Sequence, residues 1–428
     1  MSAPRDGRND MLMTSPDTLT YERFRELKLH LDMSRGKPAP EQLDLSRALI
    51  ETARETGHLA RDGFDCRNYG LPAGLPEARE LGASLLGVPA AQVIAAGNSS
   101  LELMHDALVF ALLHGVPVGE GSGAPWRAQG EIAFLCPAPG YDRHFQICEA
   151  LGVRMIAVPM RDDGPDMDAV EQLVRADASI KGIWCVPLYS NPTGAIFSGD
   201  VVRRLASMPT AAPDFRLFWD DAYRFHHLGD ERLTTLDALQ ACTEAGHADR
   251  LLMFASLSKV TFAGGALAWF AASPHNVAWW QRHTAVRSIG PDKLNQLRHV
   301  RFVRDRATLE ALMEQHRALL RPKFDAVDAV FRARLSRVPG VRWNVPRGGY
   351  FISLYAPSGC ARRTVELAAL AGLILTPAGA AFPYGVDPQD SHLRIAPSYP
   401  SLEDVRLAAE GIALSLLRAI EEGCSAPS

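Results

Sequence analysis

The sequence predicts an α/β protein, with a large, mostly parallel sheet flanked by helices and a second, smaller α+β domain. Short apolar runs alternate with helical patterns over the first two thirds of the chain, which is typical of a parallel sheet covered by helices on both faces. Towards the C-terminus the pattern changes to long, charged helices with a few strands. The 428 residues are 47% hydrophobic and 22% charged, which suffices for a large buried core and two or three domains.

The predicted elements of the large domain repeat the order strand, polar loop, helix. Helical spacing of apolar residues marks Leu75–Leu86, Leu101–Leu113 and a stretch that ends at Leu151. The strands are predicted at Val93–Gly97, Ile132–Cys136, Val153–Val158, Ile183–Pro187, Leu217–Trp219 and Leu251–Phe254.

The smaller domain is predicted over residues 301–428, and the large domain over residues 63–300. We expect the N-terminal segment, residues 1–62, to pack on the smaller domain. The helices and strands of that domain are predicted at Arg301–Ser336, Phe351–Leu354, Arg363–Ala371, Ile374–Thr376, His392–Ala396 and Leu402–Glu422.

Charge and composition exclude several classes of partner. The formal net charge of −4 and the pI of about 6.4 give no electrostatic basis for binding nucleic acid or an anionic membrane. No apolar stretch is long enough to span a bilayer, and the first residues lack the apolar core of a signal peptide. Seven scattered cysteines, without a C-x-x-C pair, indicate free thiols rather than a disulfide framework or a zinc site. We therefore expect a cytoplasmic protein without a metal.

Polar residues recur where a predicted strand has just ended. In parallel sheets, ligands bind at the carboxyl ends of the strands, so these side chains are predicted to line one pocket. They are Ser99, Ser100, Tyr141, Asn191, Asp220, Tyr223 and Lys259.

Lys259 ends a Ser-x-Ser-Lys motif between two apolar runs, Leu251–Ala255 and Ala266–Ala271. A lysine in this position is expected to be at least partly buried. A buried amine loses its proton more readily, which makes it a nucleophile that can form a Schiff base. Taken alone, the motif favours a surface lysine on a turn, and the rest of the chain decides between the two.

Two loops have the composition of anion sites. The segment 98–100 (Asn-Ser-Ser) precedes a predicted helix, so it either binds an anion at the free N–H groups or simply caps the helix. Near the N-terminus, Arg35 and Lys37 flank Gly36, which would let the backbone approach a ligand closely. A solvated loop is the alternative there.

Taken together, the motifs resemble those of fold-type I pyridoxal-phosphate aminotransferases of class I, and their order and spacing match along nearly the whole chain. The motifs are Tyr69-Gly70, Pro139-Gly140-Tyr141, Asn191-Pro192-Thr193-Gly194, Asp220-x-Ala222-Tyr223, Ser256-x-Ser258-Lys259 and Arg394. Ser34–Pro38 and Arg287–Gln296 are similar more particularly to type Ic aspartate aminotransferases, also labelled MocR-like. MocR regulators carry an additional DNA-binding domain, and we expect none in this chain.

The resemblance implies pyridoxal 5′-phosphate as cofactor in a PLP-transferase fold. Lys259 would form the Schiff base and, once released, move a proton of the substrate. Asp220 would keep the pyridinium nitrogen protonated, and Asp221 is its rival for this role. Asn191 and Tyr223 would hydrogen-bond the ring oxygen O3′.

The remaining positions of the resemblance concern the ring face, the phosphate and the partner subunit. Tyr141 would stack on the ring through its flat apolar face. Tyr69 would reach the phosphate of the neighbouring subunit, which implies a homodimer with shared active sites. The phosphate would otherwise be held by Ser99, Ser100, Ser256 and Ser258.

The last expectations concern substrate binding and one position at which this chain departs from the family pattern. Arg394 would clamp the substrate α-carboxylate by two hydrogen bonds, with Gly36, Arg35 and Asn191 as further substrate-binding residues. Many class I enzymes have a phosphate-binding arginine eight residues after the lysine, where this chain has Leu267. We expect backbone N–H groups, or Arg35, Lys37 or Arg287, to compensate.

The predicted function is transfer of an amino group between an L-amino acid, L-aspartate or L-glutamate, and a 2-oxo acid, 2-oxoglutarate or oxaloacetate. The alternatives are an aminotransferase for aromatic or other amino acids, a PLP-dependent lyase, and a non-catalytic PLP-binding sensor. The pocket motifs distinguish these poorly, because the cofactor supports several fates of one carbanion.

Overall fold

The structure is a computed structural model that describes residues 19–55 and 57–424. The chain divides into two compact units. The large unit contains Pro40–Ala318 and Arg347–Gly349, and the small unit contains the described residues 19–39, Leu319–Pro346 and 350–424. The predicted boundaries lay after residues 62 and 300. The observed boundaries differ because the N-terminal segment is divided between the units after Ala39, and because the second observed boundary, after Ala318, falls inside the long helix Arg306–Leu335.

The described residues form fourteen α-helices and fifteen strands. The helices are α1 (Tyr21–Glu26), α2 (Pro40–Asp44), α3 (Ala48–Glu55), α4 (Pro76–Leu86), α5 (Ser100–His114), α6 (Asp142–Ala150), α7 (Met167–Ala176), α8 (Gly199–Ser207), α9 (Ala238–Glu244), α10 (Pro274–Arg287), α11 (Lys293–Val303), α12 (Arg306–Leu335), α13 (Ala361–Leu370) and α14 (Leu402–Glu421). The strands are β1 (Leu31–Asp32), β2 (Val93–Ala95), β3 (Pro117–Val118), β4 (Gly121–Ser122), β5 (Ala133–Ala138), β6 (Arg154–Arg161), β7 (Gly164–Pro165), β8 (Ile180–Cys185), β9 (Arg216–Asp220), β10 (Leu251–Ser256), β11 (Ala268–Ala272), β12 (Arg342–Trp343), β13 (Ile352–Tyr355), β14 (Leu373–Ile374) and β15 (His392–Ile395).

The large unit is built on an eight-stranded sheet in the order β2-β11-β10-β9-β8-β5-β6-β7. The central strands β10, β9, β8, β5 and β6 are parallel, so the predicted α/β fold with a mostly parallel sheet is confirmed. The apolar run after Lys259, which was not assigned to an element, is the antiparallel strand β11 between β10 and β2.

Both faces of this sheet are buried. Leu217 and Trp219 of β9 belong to one buried apolar cluster, whereas Phe218 between them belongs to a second cluster on the other face. This alternation follows from the period of two in a strand and requires apolar residues at every position. It explains why the strands were recognisable as continuous apolar runs.

The stretch Arg301–Ser336, predicted to be helical, contains the end of one helix and a second, long helix. The first, α11, ends at Val303, and Arg304 follows with a positive φ of 54°. The side chain of Asp305 then accepts the N–H of Thr308 at 2.8 Å, which caps the start of α12. The charged composition obscured the break, since neither glycine nor proline marks it.

The small unit contains an antiparallel sheet, β12-β13-β15, and a parallel pair of short strands, β1 and β14. In the parallel pair, Leu31 lies opposite Leu373. The helices α13 and α14 pack on each other. The unit is therefore an α+β structure, as predicted.

A disulfide bond joins Cys360 to Cys424, with Cα atoms 5.1 Å apart and a sequence separation of 64. The prediction that all seven cysteines are free is therefore wrong for this pair. The other five cysteines are free and buried. The pairing could not be read from spacing, because it depends on α13 and α14 lying side by side.

Buried histidines of the large unit make stability depend on pH. Burial lowers the pKa of His226 to about 3 and those of His299 and His316 to about 4, from an ordinary value of 6.5. Below pH 6.5 the unfolded chain therefore binds more protons than the folded one. We expect the free energy of unfolding to fall as the pH drops from about 6.5 towards 4, measured by chemical denaturation across this range.

His316→Gln should reduce this slope, since His316 Nε2 contacts Val260 O at 2.9 Å in a buried site. His105→Gln, at a side chain that is 48% exposed, is the matched control and should leave the slope unchanged. Equal slopes in both variants would show that the buried ring does not contribute.

None of the helices in the described part of the chain has the length and apolar character that a membrane crossing requires.

Candidate active site

Three neighbouring parallel strands of the large unit, β8, β9 and β10, carry predicted site residues at or just beyond their carboxyl ends. Asp220 is the last residue of β9 and lies opposite Phe254 of β10. Lys259 follows β10 by three residues, and Asn191 follows β8 by six. Because the strands are parallel, these ends lie at one edge of the sheet.

Lys259 is half-buried, and its Nζ lies 4.9 Å from the centre of the Tyr223 ring. Burial lowers the pKa of Lys259, while the negative charge of Asp220 acts in the opposite direction. The amine is therefore easier to deprotonate than a surface lysine, as a nucleophile or general base requires. Tyr223 itself is buried.

Asp220 is buried, and its two carboxylate oxygens differ in their hydrogen-bonding environment. Oδ2 lies 3.2 Å from Nε2 of His144. Oδ1 is buried and has no hydrogen-bond partner among the described residues. An unpartnered buried carboxylate oxygen is costly, so its presence indicates a place for a hydrogen-bond donor that a ligand brings.

Asp221, the rival carboxylate, has a different environment. It is also buried, but its Oδ2 accepts a hydrogen bond from Nε of Arg224 at 2.6 Å. Its backbone N–H donates to Phe254 O at 2.8 Å, which extends the sheet by one residue. The charge of Asp221 is therefore paired within the protein, whereas Asp220 retains an oxygen for a ligand.

Serines and backbone groups form a small polar cluster beside the start of α5. Ser99 caps this helix, since its Oγ accepts the N–H of Glu102 at 3.4 Å. Ser256 Oγ donates to Ser258 Oγ at 3.0 Å, and Ser258 Oγ donates to Asn98 O at 3.1 Å. Because Asn98 precedes Ser99 directly, the four predicted phosphate residues, Ser99, Ser100, Ser256 and Ser258, belong to one neighbourhood that includes a helix N-terminus.

The other predicted residues of the large unit differ in environment. Asn191 is buried, and its Oδ1 has no hydrogen-bond partner within the described part of the chain. Tyr141 packs edge-to-face on His144 with ring centres 4.9 Å apart. Tyr69 is 76% exposed, which suits a side chain whose expected contact lies on another subunit.

Arg394, Gly36 and Arg35 belong to the small unit. Arg394 is buried on β15, with its guanidinium 5.2 Å from the centre of the Phe351 ring and its Nε 3.4 Å from Thr376 Oγ1. A Cβ atom at Gly36 would lie 2.4 Å from Cζ of Phe351, so packing on this ring requires glycine there. Arg35 is exposed.

Leu267 occupies the position where the predicted family commonly has a phosphate-binding arginine. Its side chain is fully buried in an apolar cluster, and its carbonyl accepts the N–H of Leu257 at 2.8 Å. The side chain at position 267 thus belongs to the core.

A family model described as aspartate amino-transferase matches residues 9–425 of the chain. The chain belongs to the aspartate aminotransferase family. An aspartate aminotransferase of Corynebacterium glutamicum is 44% identical over 403 residues, covering 94% of this chain and 92% of the relative. A protein of Mycolicibacterium smegmatis that is named as an aminotransferase is 50% identical over 425 residues, covering 99% of both chains. The crystal structure of an aspartate transaminase from C. glutamicum superposes with a TM-score of 0.91 at 41% identity, covering 99% of this chain and 98% of that one.

Membership in this family makes the protein a PLP-dependent aminotransferase, and the residues at the sheet edge fit that cofactor. The unpartnered oxygen of Asp220 suits a protonated ring nitrogen, the amine of Lys259 suits a carbonyl carbon, and the serine cluster suits a phosphate. Among the described residues, no cluster of three or more His, Cys, Asp or Glu side chains could hold a metal ion.

The sequence interpretation of this aminotransferase missed His144. The ring is buried, stacks on Trp184 at 4.4 Å between centres, and holds Asp220 from the side away from the free oxygen. A signal existed, because His144 shares a helix face with Ile147 and Cys148, both buried. A polar residue on an apolar helix face often has a buried polar partner.

Tyr189 and His227 form a second pair that was not predicted. Tyr189 Oη lies 2.6 Å from His227 Nδ1, and burial raises the pKa of this tyrosine. Backbone at Gly348 approaches so closely that a Cβ there would lie 2.3 Å from Cε2 of Tyr189. No sequence pattern indicated this pair, since these three positions are brought together only by the fold.

Proposed function

We propose that the protein transfers the amino group of L-aspartate or L-glutamate to a 2-oxo acid, 2-oxoglutarate or oxaloacetate, in a ping-pong reaction. The observation that carries this proposal is the Lys259 amine of lowered pKa in the field of Asp220, a buried carboxylate with one unpartnered oxygen. The aspartate preference is supported by the relative and the crystal structure named as aspartate aminotransferases.

Pyridoxal 5′-phosphate, when bound, would supply the electron sink that stabilises the carbanion of the substrate. Asp220 would hold a proton on the ring nitrogen, oriented by its contact with His144. Lys259, whose pKa is lowered by burial, would hold the cofactor covalently through its amine and would accept and return the substrate proton. Tyr223 and Asn191 would hydrogen-bond the ring oxygen, and Tyr141 would cover the ring face.

We assign phosphate binding to the serine cluster. Ser99 and Ser100 lie at the start of α5, whose first N–H groups attract an anion. Ser256 and Ser258 add hydroxyl donors that can turn from their mutual hydrogen bond to a ligand oxygen.

We propose Arg394 as the group that binds the substrate carboxylate, with Gly36, Arg35 and Asn191 as further substrate contacts. Arg394→Lys keeps the charge but removes the planar pair of donors, so KM for aspartate should rise about 10- to 100-fold, with a smaller change in kcat. The measurement is steady-state kinetics with varied aspartate. Arg342→Lys, on β12 of the same sheet and stacked on Tyr355 at 3.6 Å, is the control and should leave KM unchanged.

We propose that the enzyme is a homodimer. Lys293 Nζ donates to the carbonyl of Gly70 at 3.0 Å, which places the start of α11 beside Tyr69. Four large apolar or aromatic side chains are exposed on these two segments and at or just beyond the end of α10. They are Tyr69, Val286, Ile289 and Leu294, with exposed fractions of 76%, 90%, 63% and 45%. A second copy of the chain would cover this surface and bring Tyr69 to the phosphate of its partner.

The double change Val286→Asp and Ile289→Asp should convert the dimer to a monomer, because it places two charges in the proposed interface. Light scattering coupled to size-exclusion chromatography measures the mass directly. Val345→Asp, at an apolar residue of the small unit that is 56% exposed, is the control and should leave the mass unchanged. A wild-type protein that elutes as a monomer would contradict the proposal.

The decisive experiment for the proposed function is a half-reaction screen with purified, cofactor-loaded protein and single amino acids. Aspartate and glutamate should convert the visible absorption band within the first turnover. If only aromatic or aliphatic amino acids convert it, the substrate assignment is wrong and the aminotransferase class stands. Release of pyruvate and ammonia would indicate a lyase, and absence of any response would indicate a sensor.

Two finer assignments are part of the proposal. The type Ic, MocR-like subgroup is supported by Ser34–Pro38 and Arg287–Gln296. A cytoplasmic location is supported by five free, buried cysteines, while the Cys360–Cys424 bond is the feature that a reducing compartment would have to tolerate. Fractionation of cells with an antibody to the protein tests the location.

A further inference from the structure

In this chain, position 267, where many related enzymes have a phosphate-binding arginine, supplies no positive charge to the cofactor phosphate. Leu267 is fully buried in the core, as described above. Arg287, one of the cations considered from the sequence, lies 3.0 Å from Glu102 and 3.1 Å from Asp106, so two carboxylates already neutralise it. The large unit must therefore provide the charge from elsewhere, or the phosphate is held by neutral groups alone.

Arg298, on α11, lies beside the glycine turn that follows Lys259. Its Nη2 is 3.6 Å from the position that a Cβ atom would take at Gly265. This is an ordinary van der Waals distance, so the guanidinium of Arg298 lies directly beside the turn. The sequence offered no sign of this proximity, because 33 positions separate the two residues.

Two hydrogen bonds fix the guanidinium to the turn. Arg298 Nε donates to Asn295 Oδ1 at 2.8 Å, and Asn295 Nδ2 donates to Ala266 O at 2.6 Å. Asn295 is buried, which makes this connection rigid. The neighbouring His299 contacts Thr261 Oγ1 at 3.1 Å and holds the same helix to the loop after Lys259.

The same turn is connected to the serine cluster. Asn98 Nδ2 donates to Gly264 O at 2.9 Å, and Ser258 Oγ donates to Asn98 O at 3.1 Å. On one side, Asn98 thus connects the Gly264-Gly265 turn to the serines assigned to the phosphate. On the other side, Arg298 lies beside Gly265 and is connected to Ala266 through Asn295.

The charge of Arg298 is available. The residue is half-buried, and it forms no ion pair with a carboxylate within residues 19–55 and 57–424. A half-buried guanidinium without a counter-ion favours an anion nearby.

We propose that Arg298 supplies the positive charge for the cofactor phosphate in place of the arginine that this chain lacks at position 267. This inference rests on the proposed use of pyridoxal phosphate at Lys259. Arg298 is a cofactor-binding residue with no part in proton transfer.

The test compares binding of pyridoxal phosphate and of pyridoxal, which lacks the phosphate, to apoprotein. Arg298→Gln should weaken binding of pyridoxal phosphate about 10- to 100-fold, the usual effect of losing a charge-assisted hydrogen bond, and leave pyridoxal binding unchanged. Arg298→Lys should recover part of the loss. Arg301→Gln, three residues further along α11 and bonded to the carbonyls of Gly57 and Leu59, is the matched control and should bind both compounds like the wild type.

Each outcome decides the matter. An equal loss for both compounds, or no loss for either, overturns the role of Arg298, provided that thermal unfolding of the apoprotein shows the variant to be folded. If wild-type apoprotein does not prefer pyridoxal phosphate over pyridoxal, the proposed function itself fails and the inference fails with it. If the wild type prefers pyridoxal phosphate and Arg298→Gln binds both compounds as the wild type does, only the inference about Arg298 is refuted.

Discussion

Replacing Lys259 with alanine is expected to reduce transamination by about 10⁴-fold or more, because the change removes both the nucleophile and the group that moves the substrate proton. The two other lysine amines of the large unit are already engaged, since Lys293 Nζ is bonded to backbone carbonyls and Lys181 is paired with Asp214 at 2.7 Å. The measurement is a coupled assay with aspartate and 2-oxoglutarate, together with single-turnover absorbance changes.

A second readout separates chemistry from folding. Borohydride reduction should attach the cofactor covalently to wild-type protein and leave Lys259→Ala unmodified, as detected by mass spectrometry. Lys28→Ala, at an exposed lysine of the small unit, is the control and should retain both activity and attachment. Turnover by Lys259→Ala at a rate near that of the wild type would refute the catalytic scheme.

Replacing Asp220 with asparagine is expected to lower kcat by about 10²-fold or more while the cofactor stays bound. Asparagine preserves the shape and the contact with His144, but it removes the charge that keeps the ring nitrogen protonated. Loss of an interaction made mainly in the transition state lowers kcat and kcat/KM together, so steady-state kinetics with varied aspartate measures it.

Asp221 provides the matched control for Asp220, since the two carboxylates are adjacent and both buried. Asp221→Asn breaks the ion pair with Arg224. It should lower the melting temperature and change kcat by only a few-fold, because the charge it removes is paired within the protein. If Asp221→Asn lost as much activity as Asp220→Asn, or if the losses were reversed, the assignment of Asp220 to the ring nitrogen would be wrong.

The sequence predicted those parts of the structure that depend on local pattern. The central strands contain continuous apolar runs, such as Leu217–Trp219, because both sheet faces are buried, and these runs made the strands recognisable. The polar residues after them fall at one edge because parallel strands all end there. Lys259 and Asp220 could be placed on the same edge for this reason, without knowledge of any distance.

Features that depend on contacts between distant segments could not be predicted. His144 on helix α6 contacts Asp220 at the end of strand β9, and Arg298 on α11 lies beside the turn after Lys259. The Cys360–Cys424 bond requires α13 and α14 to pack together. In each case both residues look ordinary within their own segment, and only the tertiary structure brings them to one place.

The pairing of β1 with β14 has a consequence for how the protein is made. Leu31 of β1 lies opposite Leu373, so its partner strand is synthesised only after all of the chain between them. During synthesis the N-terminal part of the small unit leaves the ribosome while the rest of that unit does not yet exist. The large unit, which is nearly continuous in sequence, can therefore fold first, and closure of the small unit is a late event of high contact order.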